Sequence, residues 1–87
     1  MAHIHLPLLI RSLTGNVTEV DVAASNVGEV ICHLEAIFPG TRDRLCSDQA
    51  LRPGLAVAVD NEVSSRGLGQ PLEESSEVHF LPAIGGG

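Results

Sequence analysis

The sequence predicts an α+β domain in which one amphipathic helix packs on a small mixed four- or five-stranded sheet. Three observations carry this. Short stretches of alternating polar and apolar residues open and close the chain, and one longer stretch between them repeats its apolar residues every three or four positions. The third is size: 87 residues make one domain, because a chain this short buries only a little over ~60% of its unfolded surface and builds one modest core.

The elements follow in order. His3 to Leu6 alternates, which fits a strand with Ile4 and Leu6 turned to the core. Pro7 cannot donate a ladder hydrogen bond and ends that strand or marks a bulge, and Pro7–Leu13 has room for a turn of helix. Thr14-Gly15-Asn16 reads as a turn. Val17 to Val22 alternates again, with Val20 and Val22 on one face, so the two strands should form an antiparallel hairpin. Asn26 is a good N-cap, and Glu29 three residues later can complete a capping box. Val27, Val30, Ile31, Leu34, Ile37 and Phe38 then form one apolar stripe, and Pro39-Gly40 stops the helix.

Thr41 to Cys46 fits a further short turn of helix, and Ser47 to Gly54 reads as a loop. Leu55, Val57 and Val59 alternate in a third strand, Asp60-Asn61-Glu62 is a turn, and Val63 begins a short return strand. Ser64 to Ser76 is loop-like, anchored by Leu68 and Leu72. Glu77 to Leu81 closes the sheet with Val78 and Phe80 inward. Strand, strand, helix, strand, short strand, strand is the ubiquitin-like β-grasp arrangement. Residues 1–82 make that domain and residues 83–87 a flexible, glycine-rich C-terminal tail.

Composition excludes several functions. The net charge of −6 argues against a nucleic-acid surface, which needs a basic patch. No apolar run approaches the roughly 18 residues of a membrane helix, and Met1-Ala2-His3-Ile4-His5 is unlike a signal peptide, so a cytoplasmic protein is expected. The chain carries five arginines and no lysine, so an activated tail would have no ammonium side chain of its own to acylate. Cys32 and Cys46 are too far apart for a CxxC motif. Cys32 is expected beside the helix core, and neither thiol is assigned a role. With no nucleophile–base pair, phosphate loop or metal-spaced cluster in view, the chain does not read as an enzyme.

The end of the chain carries the chemistry. Val78-His79-Phe80-Leu81-Pro82-Ala83-Ile84 runs into Gly85-Gly86-Gly87, and a bare glycine end offers one reactive group, its carboxylate. A frayed end would look the same. Upstream of it, the sheet face away from the helix should carry His3, His5, Ala56, Ala58, His79 and Leu81. That face is low in formal charge and locally apolar, the kind of surface on which a partner docks, with Ala56, Ala58, His79 and Leu81 as the docking residues. Ligand spacing across strands is not set by sequence, so the histidines are read as solvent-exposed and no metal is assigned.

Leu6-Pro7-Leu8-Leu9-Ile10-Arg11, Val27-Gly28-Glu29-Val30, Leu34-Glu35-Ala36-Ile37-Phe38-Pro39-Gly40 and the Leu-Pro-Ala-Ile end before Gly86-Gly87 occur in order along nearly the whole chain. In this the sequence resembles the MoaD/ThiS family of small ubiquitin-like sulfur carriers, on the MoaD-like or CysO-like side. It departs from the family at Gly85, where a small non-glycine residue is usual, at Asn61-Glu62 in place of Asn-Gly, and in the loop 64–69, which lacks an aromatic residue. The resemblance implies that the first and last strands lie parallel at the sheet's centre. It implies a carrier substrate with no catalytic residues and no intrinsic cofactor. An ATP-dependent activating enzyme, which uses the ATP and Mg, adenylates Gly87, with Gly85 and Gly86 threading into that partner. A sulfur donor then makes the thiocarboxylate, which serves a sulfur-accepting enzyme of molybdopterin, cysteine or thiamine type biosynthesis. Two readings compete with this one: a ubiquitin-like protein modifier or interaction module conjugated through Gly87, and a passive binding domain.

Overall fold

The computed structural model describes residues 1–82; the expected tail at 83–87, with Gly85, Gly86 and Gly87, lies outside the described residues. Strands β1 (Ala2–His5), β2 (Glu19–Val22), β5 (Leu55–Val59), β6 (Glu62–Val63) and β7 (Glu77–Pro82) form one five-stranded sheet in the order β2-β1-β7-β5-β6. β1 and β7 are parallel and central, and the other pairings are antiparallel. This is the expected β-grasp arrangement. The helix α2 (Val27–Ile37) crosses one face and closes a core of Ile4, Val22, Val30, Ile31, Leu34, Val57 and Val78.

Alternation explains the inward residues. Side chains two apart on a strand share a face, so Ala2 and Ile4 of β1, Val57 of β5 and Val78 and Phe80 of β7 all reach the core. Leu6 lies just beyond β1 and is buried there too. After Pro7 the chain makes a short 3-10 turn over Leu8–Ile10 and then α1 (Arg11–Thr14), ended by Gly15 at φ 67°.

The start of α2 differs in one detail from the expected capping box. The Glu29 N–H donates to Asn26 Oδ1 at 2.8 Å, but the Glu29 carboxylate reaches back to the N–H and hydroxyl of Ser25, at 2.7 and 2.9 Å, one residue before the cap. At the other end Ile37 is 52% exposed, so it leaves the expected stripe. The helix ends at that residue, and Phe38, already off helical geometry, packs against the core in its place. Cys32, expected beside the core, is exposed, and Arg42 Nη2 donates to its sulfur at 2.9 Å. The Glu35 carboxylate accepts from the N–H groups of Gly40 and Arg42, at 3.0 and 2.8 Å, and so ties α2 to α3 (Thr41–Leu45).

The stretch read as a loop after α3 contains a small hairpin of β3 (Cys46–Ser47) and β4 (Ala50–Leu51). Asp48 and Gln49 turn it with φ of 52° and 67°, the paired positive values of a tight hairpin turn. Neither residue is glycine, so the usual turn signal is missing. Asp60 and Asn61 turn β5 into β6 in the same way, at 52° and 72°. The Asp60 carboxylate also accepts from the Glu77 N–H at 2.9 Å, which sets the start of β7.

Candidate functional site

Two regions of the outer sheet and its edge draw chemistry together. The first lies where β7 ends and the chain continues to residue 83. Leu55 of β5 pairs with Pro82 of β7, and Ala56 with Leu81. Beside them the turn after Pro7 raises Leu8 and Leu9, so that Pro7, Leu8, Leu9, Leu55, Leu81 and Pro82 line an apolar groove of about 510 Å³. Leu8 is 78% exposed, a large apolar side chain that the described residues leave in water. Pro7 explains this. Its ring ends β1, and the tight 3-10 turn that follows points Ile10 into the core and Leu8 outward. The groove was not foreseen in the sequence, although the adjacent leucines just past a strand-ending proline are the signal that marks it.

The residues read as a docking surface do come together. Ala56 faces Leu81 and Ala58 faces His79 across the β5–β7 ladder. Ala58, however, is only 6% exposed, screened between its cross-strand neighbours His79 and Val63, and offers a partner almost no surface. Half-buried Ala56, His79 and Leu81 remain accessible, and Val63 stands well exposed next to them.

The second region corrects the view that this face is low in charge. The register places Glu19 opposite His5 and Asp21 opposite His3 on β2, with Glu77 and His79 opposite the same two histidines on β7. His3 Nδ1 bonds Asp21 Oδ1 at 2.7 Å, and His3 Nε2 bonds Glu19 Oε1. His5 Nε2 bonds Glu77 Oε1 at 3.1 Å while its Nδ1 lies 3.9 Å from the same Glu19 oxygen. The His5 and His79 rings stack with centroids 3.8 Å apart. The bonds from Asp21 and then Glu19 push the His3 pKa up from its ordinary value, and the bond to His3 lowers that of Glu19. Among the described residues, every carboxylate ion pair lies in this patch. Elsewhere, burial raises the Cys46 thiol pKa, so it is a poor nucleophile.

The sequence model of the ThiS family matches residues 4–87. The chain belongs to the ThiS family. It is 29% identical to the sulfur carrier protein CysO of Mycobacterium tuberculosis over 89 residues, covering 97% of this chain and 96% of that one. A chain in the crystal structure of the Amycolatopsis orientalis BexX/CysO complex superposes with a TM-score of 0.86 at 27% identity, and covers all of both chains. The small archaeal modifier protein 1 of Haloferax volcanii shares the fold, with a TM-score of 0.72 at 22% identity over 95% of this chain and 97% of its own. No described helix is long and apolar enough to cross a membrane.

Proposed function

We infer that this ThiS-family chain is a sulfur carrier, loaded at the carboxylate of Gly87. The observation that carries the reading is the family match running to residue 87, the last of three glycines. Likeness to a CysO sulfur carrier over nearly the full length of both chains supports it.

The chemistry follows from the group available. A carboxylate is a poor acyl electrophile, so ATP in a partner's site converts it to an acyl adenylate with release of pyrophosphate. Sulfide from a donor then attacks the acyl carbon, AMP leaves, and a thiocarboxylate remains. ATP and Mg belong to the activating enzyme, and the chain supplies no catalytic group. A cytoplasmic site of loading is part of this proposal, since ATP is at hand there. Docking uses the outer sheet at Ala56, His79 and Leu81 together with the leucine-lined groove beside the root of the tail. Covering apolar area of that kind releases about 25 cal/mol per Å² before the entropic costs of association are subtracted. Gly85 and Gly86 thread into the partner because they carry no side chain beyond Cα. The CysO likeness favours an acceptor enzyme of cysteine synthesis.

The test is intact-mass spectrometry of the protein recovered from its native cells. A gain of about 16 Da from oxygen-to-sulfur exchange is expected, absent in Gly87→Ala while its circular dichroism is unchanged. A wild-type chain found in larger covalent conjugates and never as a thiocarboxylate would establish the modifier reading in its place.

A further inference from the structure

We propose that His3, His5 and Glu19 form a binding site for a divalent transition cation of the zinc type on the outer face of the sheet. The three side chains each place one ligand atom within 4.8 Å of the others. With bonds of about 2.0–2.2 Å, the ligand atoms of a tetrahedral zinc site stand roughly 3.4 Å apart. Small rotations of the half-buried His3 and His5 rings and of the half-exposed Glu19 carboxylate would bring the three atoms to that spacing.

The surroundings of the two rings make this more than a chance cluster. A metal-binding imidazole typically has its second nitrogen held by a carboxylate, which fixes the ring and raises its basicity. Both histidines have that arrangement. Asp21 holds His3 Nδ1 at 2.7 Å and leaves Nε2 on Glu19 Oε1. Glu77 holds His5 Nε2 at 3.1 Å and leaves Nδ1 turned to the same Glu19 oxygen. Two oriented imidazoles and one carboxylate oxygen therefore converge on one point.

Charge points the same way. Glu19, Asp21 and Glu77 bring three negative charges to the patch, and the chain has no lysine. Three of its five arginines bond elsewhere: Arg42 to Cys32, Arg44 to Ser12 and Leu9, and Arg52 to Asp43. Among the described residues no arginine lies within ion-pair distance of these carboxylates, so the patch is one that attracts a dication. Two nitrogen donors favour zinc and its neighbours over magnesium or calcium, which prefer all-oxygen sets. Three protein ligands leave a fourth position for water or for a donor from a partner. The site sits on β1 and β2, away from Cys32 and Cys46.

The experiment is calorimetric titration of the untagged full chain with zinc chloride at about pH 8, where ordinary imidazoles are neutral. One ion per chain is expected. His5→Ala and Glu19→Gln should each weaken binding at least tenfold, as should Asp21→Asn, which removes only the carboxylate behind His3. His33→Ala and Cys32→Ser should leave it unchanged. On the wild-type chain, cobalt(II) should give visible ligand-field bands without a near-ultraviolet thiolate band, and zinc should shift the His3 and His5 imidazole resonances. Absence of saturable binding overturns the proposal, as does binding that either His5→Ala or Glu19→Gln leaves intact. A thiolate band does the same by placing the ion on cysteine.

Discussion

Leu34 and Ile37 stand one turn apart on α2 and belong to the same apolar stripe in the sequence, but the structure separates them. Leu34 is fully buried, whereas Ile37 is 52% exposed. Leu34→Ala removes three carbons from a closed core. At about 0.8 kcal/mol per buried carbon this is ~2.4 kcal/mol of transfer free energy, and the cavity left behind brings the loss to about 3 kcal/mol within the usual range of about 2–5. A domain of this length has roughly 4–13 kcal/mol to lose. The melting temperature should therefore fall by roughly 12–24 °C, taking about 4–8 °C per kcal/mol. Ile37→Ala removes the same number of carbons, about half of them already in water. Alanine's better helix propensity offsets part of the remainder, so the expected loss is about 1 kcal/mol or less. The chain has no tryptophan or tyrosine, so far-ultraviolet circular dichroism in a urea titration is the suitable assay. Equal losses in the two variants, or a larger one at Ile37, would mean that α2 is rotated on the sheet and the core assignment is wrong.

Two further outcomes are expected. The Glu29 pKa is lowered by the Ser25 N–H and then its hydroxyl, and the Glu35 pKa by the N–H groups of Arg42 and then Gly40. A carboxylate whose folded pKa lies below its unfolded value stabilises the fold fully above that unfolded value. The contribution is lost as pH falls through the folded pKa. Stability should thus decline below about pH 4.5, the ordinary glutamate range, and Glu35→Gln should flatten that decline; an unchanged acid limb in a pH series of urea midpoints would contradict this. Gln49 occupies φ 67° in the β3–β4 turn, a region that costs a non-glycine residue about 1–2 kcal/mol. Gln49→Gly should relieve that strain, less the entropy glycine loses on folding, for a net gain of about 0.5–1 kcal/mol in thermal unfolding. A loss of stability would show that the glutamine side chain holds the turn.

Where a residue's environment is set by its neighbours in sequence, the reading succeeded. The period of two placed Ile4, Val57, Val78 and Phe80 in the core, and the period of three to four did the same for Val27, Val30, Ile31 and Leu34. Asn26 caps α2 because a short amide side chain just before an apolar run can reach the free N–H groups of the first turn. The failures have equally local causes. Ile37 is the last residue of α2 and Cys32 borders its apolar stripe, so the exposure of both depends on where the helix ends and how it is rotated on the sheet. The β3–β4 hairpin escaped notice because its turn is Asp48-Gln49, without the glycine that makes positive φ easy. Exposure of Leu8 depends on how tightly the chain turns after Pro7.

The amino-acid sequence alone settled the order of the five main strands and the long helix and the single core, since each depends on periodicity. It also placed the family resemblance, which is spread along the chain in order. Tertiary structure alone decided that Glu19, Asp21 and Glu77 would meet His3 and His5, and that Leu8 and Leu9 would wall a groove beside Leu81. Those meetings depend on strand register, and a shift of one residue would send each side chain to the opposite face. Register is fixed by the burial of the whole sheet, so neither segment of a pair carries it by itself.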